Sequence, residues 1–190
     1  MKSILISIKP KYVAKILNGE KTIEIRKTMP KCDLPIDVYI YCTKDKDILC
    51  LIDNVWHTLK VIKGKLTSKF HGKVLAKFTL NKVEEILVGE ENNDYFYKTE
   101  SLTNEKLRNA SCLSNKELLD YLNLEQGYAW HISNLEIFDK PKELNEFWKV
   151  VETSISYELT DTKKEKPIKL NACKNLTKAP QSWQWIETGE

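Results

Sequence analysis

The chain has 190 residues, 42% hydrophobic and 30% charged, with a formal net charge of +3 at pH 7 and a sequence pI near 8.4. That length buries one sizeable core, so a single domain spanning 1–190 is expected, and no apolar run nears the ~20 residues of a membrane span. The five scattered cysteines, Cys32, Cys42, Cys50, Cys112 and Cys173, form no CxxC pair; they indicate neither a zinc site nor a disulfide framework and fit a reducing cytoplasm.

In chain order, Ser3 to Ile8 reads as a strand, and its short apolar stretch, ended by Lys9-Pro10, is no signal peptide. Pro10 to Asn18 reads as a helix: proline suits the first turn, Val13, Ile16 and Leu17 form an apolar stripe, and Asn18-Gly19 supplies a left-handed cap. Thr22 to Arg26 then alternates. Ile23 and Ile25 point to a core while Thr22, Glu24 and Arg26 share the other face. Ile36 to Cys42, Lys73 to Glu85, Tyr128 to Phe138 and Ser182 to Ile186 are further strands, rich in Val, Ile, Tyr and Trp. Several short strands suggest a barrel. Ser114 to Leu122 reads as a helix with a Ser114/Glu117 capping box, and Leu144 to Trp148 as a third helix. Gly89 to Asp94 reads as an acidic turn-forming loop and Asp161 to Lys166 as a charged hairpin tip or loop.

Two groups of residues carry candidate chemistry. The first is Lys21, Glu24 and Arg26, in a stretch from Lys2 to Lys31 that holds eight basic residues (Lys2, Lys9, Lys11, Lys15, Lys21, Arg26, Lys27 and Lys31) against two acidic ones, Glu20 and Glu24. Such an excess attracts phosphates or is simply a solvated face. The trio itself is either an ion-pair cluster at a barrel rim, contributing about 0–1 kcal/mol if exposed, or a polar site in which Glu24 accepts from a base and Arg26 or Lys27 meets phosphate. The second group is aromatic. Tyr128 and Trp130 share a strand face, His131 faces the other way, and Trp183 and Trp185 share a face near Gln181 and Ser182. These rings are either packing or a stacking wall for an unstacked base. His131 is more often a satisfied structural histidine than a catalyst.

The run Gly19-x-Lys21-x-x-Glu24-x-Arg26 after the first helix resembles the signature of the ASCH family in the PUA-like superfamily. Ser7-Ile8-Lys9-Pro10, Val38 to Thr43, Gly72 to Phe78, Tyr128 to Ile132 and Pro180 to Trp183 are similar to further pieces of it. The likeness is strongest to the longer, phage- and prophage-type members, and leaves two insertions unmatched, near 44–71 and 152–178. In the first, Leu49, Leu51, Ile52, Val55 and Trp56 form either a protein-interaction patch or core. The resemblance implies an α+β, mainly β fold: a PUA-like β-barrel with flanking helices, whose cleft holds RNA or a modified base. The ligand-binding set is then Lys9, Lys21, Glu24, Arg26, Lys27, Tyr128, Trp130, His131, Gln181, Ser182 and Trp183, with no cofactor and no metal.

The resemblance also implies an alternative, since some small ASCH-like proteins are N4-acetylcytidine amidohydrolases that use a Lys, Thr and Glu set. If this chain is an enzyme, Lys21 and Glu24 are its catalytic candidates, but Glu24 stands where the nucleophilic threonine is expected. Thr22 lies two strand positions away, about 6–7 Å, and does not substitute. Glu84 and Glu85 are candidate carboxylates for that chemistry. RNA cleavage with Glu24 and His131 as acid and base is a weaker reading. The dispersed glycines form no phosphate loop, which excludes P-loop or Rossmann nucleotide chemistry.

Overall fold

The computed structural model describes residues 1–60, 66–158 and 165–188. Strand β1 (Lys2–Ile8) enters helix α1 (Pro10–Leu17), which Pro10 opens and Gly19 closes at φ +74°, Asn18 staying right-handed. Then follow β2 (Ile23–Arg26), β3 (Ile36–Cys42), the hairpin β4 (Asp47–Ile52) and β5 (Val55–Lys60), and β6 (Lys73–Glu91) paired with β7 (Asp94–Lys98). Helices α2 (Asn104–Ser111) and α3 (Asn115–Leu122) precede β8 (Gly127–Glu143), β9 (Trp148–Glu158), β10 (Glu165–Asn175) and β11 (Trp183–Glu187).

One mixed nine-stranded sheet runs β10-β9-β11-β1-β3-β6-β8-β2, with β7 on the far end of β6. Among the described residues only β1 and β3 pair in parallel. Central β1 is buried on both faces, which is why it reads as a near-continuous apolar run: Ile4, Ile6 and Ile8 pack with Val13 and Ile16 of α1, and Leu5 clusters with Tyr39 and Ile186 of the flanking strands and with Phe147 and Leu176. A separate cluster seats α2 and α3 against β2 and β8 through Ile23, Ile25, Ala129, Leu107, Leu118 and Leu122. Gly127 allows α3 to approach, because a Cβ there would lie 2.7 Å from a Leu122 methyl.

The expected barrel does not close. The ladder of β2 runs to β8 alone, from Ile23 opposite His131 to Arg26 opposite Tyr128, and among the described residues no ladder joins β2 to β1. Three register shifts curl β6 around β8, but β2, four residues long, does not complete the circuit. A side chain spans the gap: the Arg26 guanidinium donates to the Ser7 carbonyl of β1 at 2.9 Å.

Other expectations are adjusted locally. The Ser114 capping box is present, whereas the third expected helix is a single 3-10 turn, Leu144–Glu146, before Trp148 opens β9. The acidic Gly89 to Asp94 loop is strand up to Glu91, with a turn only at Asn92-Asn93, both at positive φ. Of the Asp161 to Lys166 loop, residues 161–164 lie outside the described residues and Glu165 and Lys166 belong to β10. The 44–71 insertion holds a hairpin turning at Asp53-Asn54, both left-handed; Leu49 is buried and Trp56 half-buried against the α1 core, while Leu51, Ile52 and Val55 are exposed. No helix among the described residues is long and apolar enough to cross a membrane.

Candidate functional site

Where β1 ends and α1 begins, the unclosed gap between β1 and β2 opens into a cleft of about 590 Å³. Its floor is the charged trio. Lys21, Glu24 and Arg26 are only 2%, 8% and 6% exposed, so they are not the solvated rim pairs that low-value surface bridges would be. Glu24 joins the two cations, with Oε2 3.2 Å from Lys21 Nζ and Oε1 2.9 Å from Arg26 Nη2. Lys21 Nζ also donates to the Ile23 carbonyl at 2.8 Å and to the Ser111 carbonyl at 2.7 Å. Carbonyls and carboxylates only accept, so these three partners are satisfied by the three N–H bonds of an ammonium and not by the two of a neutral amine. Burial holds the Lys21 pKa below its ordinary value, and Glu24 pulls it back up. Arg26 Nη1 donates to Ser182 Oγ at 3.2 Å.

The walls come from the helices. Tyr12 of α1 and Glu117 of α3 meet across the cleft, the phenol donating to Glu117 Oε1 at 3.2 Å beside Lys11 Nζ at 2.9 Å. Glu117 Oε2 meanwhile caps α3 at Ser114, so one carboxylate fixes both helices. The Ser114 amide, then Lys11, hold the Glu117 carboxyl down at about 2. Tyr121, 40% exposed, lies along the other wall with Lys27 Nζ 5.7 Å from its ring centre. Burial raises its phenol pKa, which keeps it a neutral donor. Lys9, Thr43, Lys44, Asp45, Asp120 and Gln181 are among the other lining residues.

Six of the expected ligand-binding residues therefore share one cleft: Lys9, Lys21, Glu24, Arg26, Gln181 and Ser182. Lys27 is not a lining residue and reaches the cleft only through its approach to the Tyr121 ring. The expected aromatic wall does not line it. Trp130 is fully buried, with its ring centre 5.9 Å from that of Trp183, and Trp183 in turn donates to Thr28 Oγ1. Tyr128 is half-buried against the same core. The rings that do line the cleft, Tyr12 and Tyr121, sit on helices, and their off-stripe positions beside Val13 and Leu122 were the available signal.

His131 is elsewhere too. Its Nε2 lies 2.6 Å from Glu84 Oε2, in a network that ties β6 and β8 to Thr99 and Ser101 before α2. His131 is thus not paired with Glu24, and Glu84 is engaged away from the cleft. Burial pushes the Glu84 carboxyl up, but bonds from Ser101, Lys82 and His131 outweigh it and hold it at about 2, below the ordinary 4.5. A depressed carboxylate stabilises the fold above its unfolded pKa and loses that contribution as pH falls through the folded one. Stability is expected to decline between about pH 4.5 and about pH 2, and Glu84→Gln to flatten part of that decline in urea titrations, Glu117 retaining its share. An unchanged profile would sink this assignment.

No family model and no curated protein matches the chain. Solved structures do. The crystal structure of ASCH from Zymomonas mobilis aligns over 97% of this chain and 87% of its own, at 16% identity and a TM-score of 0.54. That of a serine-to-alanine mutant of the same Zymomonas mobilis protein aligns over 97% and 88%, at 17% identity and 0.54. The open, mainly β sheet with its three helices is therefore an ASCH-type fold.

Proposed function

We propose that this chain is an ASCH domain, of the longer phage- and prophage-type, that binds RNA or a modified nucleobase in the cleft between α1, α3 and the β1–β2 gap. The observation that carries this reading is the contrast between floor and walls. The floor charges are buried and paired with one another, with Arg26 Nε left buried without a partner among the described residues, whereas the Lys9 and Lys44 ammoniums and the Gln181 amide above them are unpaired there. A cleft of about 590 Å³ is in the size range of small-molecule sites. Tyr121 offers a ring for stacking, the free ammoniums suit phosphate, and Gln181 with Ser182 suits a base edge.

The alternative, hydrolysis of an acylated nucleoside or of RNA, asks Lys21 to accept a proton. As an ammonium with three acceptors it has no lone pair to offer, and Glu24, bound to both cations, is a poor nucleophile. Binding is the better-supported reading.

Tyr121→Ala is expected to weaken binding of single-stranded RNA or of the matching nucleoside by roughly 5- to 150-fold, the equivalent of about 1–3 kcal/mol of stacking per base. The test is a fluorescence titration of an oligonucleotide and modified-nucleoside panel, N4-acetylcytidine included, with product analysis by mass spectrometry. Unchanged affinity in the variant would remove the cleft from the reading, and turnover by the parent protein would replace it with the hydrolase.

A further inference from the structure

A second concavity, about 630 Å³, lies between the β4–β5 hairpin and the outer part of β8. Its floor is aromatic, with Trp56 half-buried against Phe70 at 4.8 Å between ring centres and Phe138 opposite. Its rim is basic: Lys69, Lys73 and Lys140 against Asp139 alone among the lining residues. Lys73 is paired with Glu143, but Lys140 has no ion pair among the described residues, and Lys69 lies over the Phe70 ring. Just beyond, Lys142 Nζ sits 4.6 Å from the centre of Phe138. Cations set around an aromatic floor are complementary to a strand of alternating phosphates and bases.

One close approach relates the linings of the two concavities. Lys44, on the lip of the cleft, folds over Gly72, where a Cβ would stand 3.2 Å from Lys44 Cε, and the next residue, Lys73, lines the groove. Gly72 itself sits at φ +77° and donates to the Cys42 carbonyl at the end of β3. Lys44 and Gly72 thus bring the cleft lining, with Lys9, Lys44 and Asp45, next to the groove lining that begins at Lys73.

We propose that single-stranded nucleic acid extends from the cleft across Lys44 and Gly72 into this groove, with phosphates on Lys69 and Lys140 and a base on Trp56. This rests on the RNA-binding reading of the cleft and adds a second site that lengthens the footprint beyond one nucleotide. The test compares uridine 5′-monophosphate with an oligouridylate of about 10 nucleotides, using the parent, Tyr121→Ala and the double variant Lys69→Glu/Lys140→Glu. Both lysines are exposed, which makes that variant safe for folding.

The expected result is tighter binding of the oligonucleotide than of the mononucleotide. The double variant should remove roughly tenfold or more of that advantage, flatten the salt dependence by about 0.7 per lost phosphate contact, and leave mononucleotide affinity unchanged. Oligonucleotide binding that depends on Tyr121 and ignores both lysines overturns the groove and leaves the cleft reading standing. Dependence on the lysines without Tyr121 overturns the cleft reading and with it the path from the cleft into the groove. No binding of either nucleotide to the parent overturns both, and displacement of the oligonucleotide by polyglutamate of equal charge would reassign the groove to an acidic protein partner.

Discussion

Glu24→Ala is expected to destabilise the fold by about 3–5 kcal/mol, the range for removing one partner of a buried ion pair. The carboxylate is the common counter-charge of Lys21 and Arg26, both nearly sealed from solvent, and alanine would leave two cations facing each other on the cleft floor. At about 2–4 °C per kcal/mol for a chain of this size, the melting temperature should fall by roughly 6–20 °C. Adding Lys21→Met to Glu24→Ala should recover part of the loss, because one of the two stranded charges then goes, with a coupling of about 0.5–3 kcal/mol. Two urea denaturation series measure both terms. A single-variant loss below about 1 kcal/mol would mean that water reaches the trio, and that it behaves as the exposed pairs considered from the sequence.

The same geometry changes what Arg26 is expected to do. From its charge alone Arg26 is a phosphate ligand, whose removal lowers the salt dependence of binding. In the folded chain it is neutralised by Glu24 and its two terminal nitrogens donate to Ser182 and Ser7, Nε staying unpaired among the described residues, so that it holds β2 to β1 where no ladder among the described residues does. Its removal is a loss of closure first.

That reversal shows which parts of the fold were legible. Alternation in Thr22 to Arg26 put Ile23 and Ile25 in the α2–α3 core, and Ser114 with Glu117 marked the start of α3, because both signals are local. The unclosed sheet was not legible, since closure depends on how far the bulges curl β6 and on how short β2 is. Helix α2 was missed because its apolar content is slight, with Leu107 its main buried anchor. Strands β4, β5, β7, β9 and β10 were missed because their pairing partners, rather than their own patterns, define them. The cleft aromatics were misassigned for a related reason. In a strand, Trp130 and Tyr128 share a face whichever side is buried, and the sequence does not say which side that is.

Trp130→Ala is therefore expected to act on stability before anything else, with a loss of about 3–5 kcal/mol for truncating a fully buried tryptophan. Trp130 lies opposite Glu24 in the β2–β8 ladder, and packs against Trp183 on the far side of the gap, so the cavity would open beneath the charged trio. Its indole Nε1 is buried without a hydrogen-bond partner among the described residues. Trp130→Phe deletes that orphan donor along with part of the ring, and the desolvation relieved, about 1–3 kcal/mol, offsets part of the lost packing. The phenylalanine variant should thus sit well above the alanine variant in thermal and urea denaturation, and both should retain nucleic-acid affinity at temperatures where they remain folded. A folded, undiminished Trp130→Ala protein that had lost binding would place this ring against the ligand after all. It would also require the Trp130–Trp183 contact to open, because the Trp130 ring is fully buried in the folded chain.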